Sequence, residues 1–201
     1  MSINEKFAAI ILAAGASSRM GTTKALLNFD EKFTFVEKII EQFVNAGAEK
    51  CVVVCNSNNF NQIKYLEKKN IILVENDIQE SSRFYSIYLG CKNLKEYEYI
   101  FIHNVDNPYI KTSDIEKIYL NKSPNEYIVP VYNNQGGHPI LINKKILEQI
   151  LIQTTYNQIL RNFLKLFNRK NVIFVEENIL YNINTYEQYN KLKNNNIWKR
   201  V

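Results

Sequence analysis

Short apolar runs that alternate with longer stretches of helical period constrain this chain more than any other feature of its sequence. The runs are Ala8 to Leu12, Cys51 to Cys55, Ile71 to Val74, Tyr99 to His103, Tyr127 to Val131, Pro139 to Ile142 and Val172 to Val175. Between them lie helix candidates at Phe35 to Asn45, Phe60 to Lys68, Ser82 to Leu94, Ser113 to Leu120, Lys144 to Leu151 and Tyr156 to Phe167. This order predicts an α/β fold, a mostly parallel sheet whose strands are joined by crossover helices. In the first helix Val36, Ile39, Ile40 and Phe43 follow the spacing of one buried face. Ser113 with Glu116, and Thr185 with Gln188, have capping-box spacing, and the second pair predicts a last helix from Tyr186 to Leu192.

No repeat, Pro-rich linker or break in composition divides the 201 residues, so residues 1–201 are expected to form one domain. Hydrophobic residues at 46% and charged residues at 22% exclude a disordered chain. The net charge of +5 comes from scattered lysines with no compact basic cluster, which argues against nucleic acid and suits a small anionic substrate. The apolar run from Phe7 to Leu12 falls far short of the ~20 residues a membrane span requires, and the N-terminus reads as neither signal peptide nor anchor. Cys51, Cys55 and Cys91 form no CxxC pair and read as buried, reduced thiols, in keeping with a cytoplasmic protein.

The most informative stretch leaves the first strand as Leu12-Ala13-Ala14-Gly15-Ala-Ser-Ser-Arg19-Met-Gly21-Thr-Thr-Lys24-Ala-Leu-Leu27. Small residues let backbone N–H groups approach a ligand, and Arg19 and Lys24 add two positive charges to one loop, a combination suited to a polyphosphate. It is not a dinucleotide fingerprint, because Ser17 and Met20 stand where glycines are required. A P-loop is excluded too, since five residues separate Gly15 from Gly21 and Thr22 follows. The run from Tyr99 ends in Asn104-Val-Asp106-Asn-Pro108, which puts a hard carboxylate at the carboxyl edge of the sheet, where ligands bind in open α/β folds and where Mg²⁺ would be served. Asp-Asn-Pro is by itself also an ordinary turn sequence. His103 reads as a core residue.

LAAGASSRMGTTKALL resembles the signature of the nucleotidylyltransferases that include the molybdenum-cofactor guanylyl- and cytidylyltransferases and, more distantly, sugar-phosphate and methylerythritol-phosphate enzymes. The resemblance implies a three-layer Rossmann-like fold, with Leu12, Ala13, Ala14 and Gly15 under base and ribose and with Arg19, Gly21 and Lys24 at the triphosphate. It implies Mg²⁺ as cofactor, held by Asp106 from the family's Asp-x-Pro and by Asn184 from Asn182-Ile-Asn184-Thr185. Gly136-Gly-His138-Pro139 resembles the strand lining the acceptor side, which makes His138 a candidate acceptor contact or else a structural imidazole. Ser86, near the start of a helix, could face the base. Ser81, Tyr186 and Gln188 depart from the family pattern, which usually has Gly, Pro and Asp at these places. The implied reaction transfers a nucleotidyl group from a nucleoside triphosphate, with Ala14 leaning toward CTP, onto a phosphorylated acceptor such as molybdopterin, releasing pyrophosphate. A partner protein that receives the product is implied as well. Two alternatives are a sugar- or polyol-phosphate acceptor and, given the departures, an inactive nucleotide-binding regulator.

Overall fold

The computed structural model describes residues 6–15, 23–78 and 82–194. Arg19, Gly21 and Ser81 therefore lie outside the described residues. The elements run β1 (Phe7–Ala13), α1 (Phe35–Asn45), β2 (Lys50–Asn56), α2 (Ser57–Ile63), β3 (Ile71–Asn76), α3 (Arg83–Lys92), β4 (Tyr99–Asn104) and α4 (Thr112–Leu120). They continue with β5 (Glu126–Tyr132), β6 (Gln135–Gly136), β7 (Ile140–Asn143), α5 (Lys144–Leu151), α6 (Leu160–Leu164), β8 (Asn168–Ile173) and α7 (Tyr186–Asn194). Short 3₁₀ turns at Lys24–Leu26, Lys64–Leu66 and Glu177–Leu180 fill the joints.

The strands form one sheet in the order β3-β2-β1-β4-β7-β5-β6, with β8 paired to β5. β1, β2, β3 and β4 are parallel, and β7 then runs antiparallel between β4 and β5. Alternate residues of β1 serve opposite faces. Phe7, Ala9, Ile11 and Ala13 pack in a core with residues of α1, α2 and α4, while Ala8, Ile10 and Leu12 pack in another with residues of α3, α5 and α6. The result is the expected three-layer arrangement of helices, sheet and helices. Gly90 of α3 allows the close approach, since a Cβ there would lie 2.7 Å from Ile10 Cγ2.

Right-handed crossovers explain which face each helix takes. From β1 the chain moves outward through α1, β2, α2 and β3, keeping both helices on one face; α3 then returns on the other face and delivers β4 to the opposite side of β1. Between β1 and β4 there is thus a topological switch point, and a crevice opens beyond their carboxyl ends.

Local chemistry sets most element ends. α1 covers its predicted range: Thr34 N–H donates to Glu37 Oε2 at 2.8 Å, and Phe35, Val36, Ile39, Ile40 and Phe43 are buried. The Thr185–Gln188 box also forms, with Gln188 N–H donating to Thr185 Oγ1 at 3.2 Å and Thr185 N–H donating to Gln188 Oε1 at 3.1 Å.

Other ends differ from expectation. α2 begins at Ser57, before Phe60, because Asn56 Oδ1 accepts Asn59 N–H at 3.0 Å. The Ser113–Glu116 pair does not cap α4; Asp114 does so by accepting Lys111 N–H at 3.0 Å. Tyr156 to Phe167 shrinks to the five residues of α6. The strand expected at Val172 to Val175 starts at Asn168, where an edge strand pairs with β5 through its backbone while exposing most side chains. β6 was not foreseen. Asn133 and Asn134, at φ 46° and 63°, make the two-residue turn of a β5–β6 hairpin.

Candidate functional site

The loop after β1 starts from a held base. Asn56 Nδ2 donates to Ala14 O at 3.3 Å and Asn59 Nδ2 to Ala13 O at 3.4 Å, so the β2–α2 junction fixes where the chain leaves the sheet. Leu12 and Ala13 are buried, Ala14 is half-buried, and Gly15 is exposed with open space where a Cβ would stand. The described loop resumes at Thr23, and Lys24 opens a 3₁₀ turn whose Ala25 is buried.

Beside it, Val105 N–H donates to Leu12 O at 3.1 Å, which joins the turn after β4 to the end of β1. Asp106 follows, and its backbone carbonyl accepts Ile183 N–H at 2.7 Å. That bond brings the distal segment Asn182 to Thr185 across the carboxyl edge. Three predicted residues consequently meet: Lys24 Nζ donates to Asn184 Oδ1 at 2.9 Å and lies 3.6 Å from Asp106 Oδ2. Asp106 Oδ1 is buried and has no hydrogen-bond partner among the described residues.

A second set of bonds fixes this edge. Ile179 O accepts both His138 N–H at 3.0 Å and Asn107 Nδ2 at 2.9 Å, tying the segment between β6 and β7 to the turn that carries Asp106. Asn178 Nδ2 donates to Asp114 Oδ2 at 2.6 Å and to Tyr109 O at 3.2 Å. Burial raises the pKa of Asp114. Gly137 lies so close to Ile179 that a Cβ would stand 2.4 Å from the carbonyl oxygen. Backbone cannot yield as a flexible side chain can, so Gly137→Ala is expected to destabilise the protein by about 3 kcal/mol, read as a lower melting temperature. An unchanged melting curve would reject the close approach.

His103 is fully buried, as expected of a core residue, and its Nε2 lies 2.8 Å from Asn107 O. A carbonyl only accepts, so Nε2 carries the proton. Burial chiefly holds its pKa down at about 4, with the Arg83 charge acting in the same direction. His138 is held at about 3, by burial first and then by Arg83 and His103, whose ring centre is 6.4 Å away. Both imidazoles are therefore neutral at pH 7. Because the unfolded chain gains these protons near 6.5 and the folded one does not, stability is full above that pH and falls as pH drops toward 4. Urea unfolding at pH 7 and pH 5 should differ by on the order of 4 kcal/mol, about 2 from each imidazole; equal stabilities would contradict neutral burial.

Arg83, absent from the expectations, is the charged residue that sequence reasoning missed. It occupies the first position of α3, its Nη2 donates to Asn104 Oδ1, and desolvation lowers its pKa while Asp106 opposes that shift. A signal was available: Arg at a helix N-terminus opposes the helix dipole, a local cost that needs a compensating purpose. Ser86, by contrast, is buried rather than open to a ligand, and its hydroxyl accepts from Asn76 Nδ2 at 2.9 Å, fastening α3 to the end of β3. His138 lines a cleft of about 660 Å³ whose walls also include Ser82, Arg83 and Arg169. Cys51, Cys55 and Cys91 are buried free thiols, and among the described residues no three His, Cys, Asp or Glu side chains gather as a metal cluster. No described helix is long and apolar enough to cross a membrane.

The chain is similar to known proteins in sequence and in fold. The chain is 29% identical over 120 residues to the 2-C-methyl-D-erythritol 4-phosphate cytidylyltransferase of Fusobacterium nucleatum, covering 57% of this chain and 52% of that protein, so the match spans about half of that relative's length. Against the molybdenum cofactor cytidylyltransferase of Escherichia coli (strain K12) it is 28% identical over 142 residues, 71% of this chain and 72% of the other. A nucleotidyl transferase structure from Methanothermobacter superposes with a TM-score of 0.79 at 19% identity, over 98% of this chain and 99% of that one, which establishes the fold. The model of the MobA-like NTP transferase domain matches residues 9–172, and the chain belongs to that family.

Proposed function

We propose that this protein transfers a nucleotidyl group from a nucleoside triphosphate to a phosphorylated small molecule, releasing pyrophosphate. The observation that carries the proposal is the meeting of Lys24, Asp106 and Asn184 at the β1–β4 switch point, next to the loop that begins at Ala14. An acceptor phosphate is already ionised at neutral pH, so no general base is required. What the chain must supply is position and charge.

In this reading Leu12 to Gly15 pass under the base and ribose, and Lys24, with Arg19 and Gly21 of the same loop, neutralises the triphosphate as the pyrophosphate departs. Asp106 and Asn184 fit Mg²⁺: both offer hard oxygens, and the Asp106 Oδ1 is buried without a partner among the described residues. Bound there, Mg²⁺ would neutralise phosphate charge and polarise the phosphoryl group. With one carboxylate and one amide, the pair offers a weak site until phosphate oxygens join it. Lys24 reaches both ligands in the structure, so its ammonium holds them together and balances Asp106 before nucleotide arrives. His138 lines the cleft and is neutral, so it adds no charge beside the acceptor.

Ala14 leans toward CTP, and the molybdenum cofactor cytidylyltransferase relative favours an acceptor such as molybdopterin, whose product would pass to a partner protein. The second reading, a polyol-phosphate acceptor, is favoured by the methylerythritol-phosphate relative. Thermal shift with each of the four common nucleoside triphosphates, with and without Mg²⁺, tests the nucleotide half. One triphosphate is expected to raise the melting temperature, and more so with Mg²⁺; no shift with any of them would reject the proposal.

A further inference from the structure

The cleft beside His138 has walls of a single charge. Among its described lining residues are Arg83, Arg161 and Arg169 and no Asp or Glu. The three arginines come from different elements: α3, α6 and β8. Arg83 is bonded to Asn104 and drawn toward Asp106. No described bond or ion pair links Arg161 or Arg169 to Asp106, and among the described residues neither has a carboxylate at ion-pair distance.

Arg169 is also held in place. Its Nε donates to Asn171 Oδ1 at 2.7 Å, and its guanidinium crosses Gly136, where a Cβ would come within 3.2 Å of Nη2. The cleft is also lined by Tyr127, Val129, Ile140, Leu160 and Leu164, a surface suited to a ring or a hydrocarbon skeleton. Guanidinium groups that serve only solubility have no reason to converge on one concavity without an acid among them. Converging on it, they recognise phosphate or carboxylate groups.

We infer that the acceptor carries a second anionic group, a phosphate or a carboxylate, and that Arg161 and Arg169 grip it at the end of the cleft remote from the reacting phosphate. The inference rests on the reading of this cleft as the acceptor side of a nucleotidylyltransferase. Arg83 takes the reacting phosphate, the apolar walls take the skeleton, and Arg161 and Arg169 select acceptors with two anionic groups over acceptors with one.

Two probes on one ring test this: phenyl phosphate and 4-carboxyphenyl phosphate, titrated calorimetrically into the full-length protein. The wild type is expected to bind the second about tenfold more tightly, equivalent to about 1.4 kcal/mol from one partly solvated charge-assisted contact. In Arg161→Gln/Arg169→Gln the ratio of the two affinities should fall to about one. Both side chains are exposed, so the variant is expected to fold, and the single variants, each losing part of the ratio, serve if it does not. Equal binding of the two probes by the wild type, binding of neither, or an undiminished ratio in the variants would overturn the inference. Triphosphate thermal shifts on the same samples separate the two failures: a protein that prefers the probe with two anionic groups but binds no nucleotide refutes the transferase reading and leaves the arginine site standing.

Discussion

Asp106→Asn is expected to lower turnover by a hundredfold or more while the protein stays folded. The substitution preserves shape and removes one negative charge from a site where Lys24 Nζ lies 3.6 Å from Asp106 Oδ2. The fold should hold because the structural bond at this position is made by the backbone, Asp106 O to Ile183 N–H, and is untouched. The pair with Lys24 is partly exposed, so its loss costs stability about 1 kcal/mol or less. Catalysis is a different matter. A carboxylate that organises charge around the reacting phosphates acts mainly in the transition state, and removing one such group costs roughly 3 kcal/mol there. If Asp106 were only the turn residue before Pro108, Asn would serve nearly as well. Pyrophosphate release at saturating Mg²⁺, beside a melting curve, separates these outcomes; near-wild-type turnover in a folded variant would reject the role.

Lys24→Ala should abolish most of the nucleotide-dependent rise in melting temperature and reduce turnover by about a hundredfold. Its ammonium is the described positive group of the loop, and it also donates to Asn184 Oδ1 at 2.9 Å, so both its charge and its bridging position are lost. Lys24→Arg is expected to rescue poorly, because a planar guanidinium does not reproduce a compact ammonium between two side-chain oxygens. A Lys24→Ala protein that binds triphosphate with wild-type affinity would remove the loop from the account.

The strands and the first helix were legible because their signals are local. Buried runs such as Ile10 to Leu12, and the face made by Val36, Ile39, Ile40 and Phe43, state their environment in a few residues. β8 and the β5–β6 hairpin were not, since an edge strand held by its backbone needs no apolar pattern, and Asn133 and Asn134 form a turn whose meaning depends on the strands on either side. At the site, the convergence of Lys24, Asp106 and Asn184 followed from the motifs. The supports behind it did not: Asn107 and Asn178 act through contacts with Ile179 and Asp114 that only the folded chain brings together. Arg83 stood in plain view, and the conflict with its helix dipole could have marked it. Ser86 shows the reverse error, since a position near a helix start does not tell whether a small hydroxyl faces a ligand or, as here, Asn76.

No described helix is long and apolar enough to cross a membrane. The described ion pairs are mostly surface pairs such as Lys50–Glu96 and Lys144–Glu98. Such pairs contribute little to stability. The positive charge that matters is concentrated in the crevice and in the arginine-lined cleft next to it.

Group transfer is tested most directly by pyrophosphate release from the wild-type protein with each nucleoside triphosphate and Mg²⁺, with and without phosphorylated acceptors, among them acceptors that carry a second anionic group. Release is expected to depend on acceptor, with one pyrophosphate formed for each nucleotidylated acceptor. Triphosphate binding with no acceptor-dependent release from any of them would contradict it and point to a protein that holds nucleotide without turning it over.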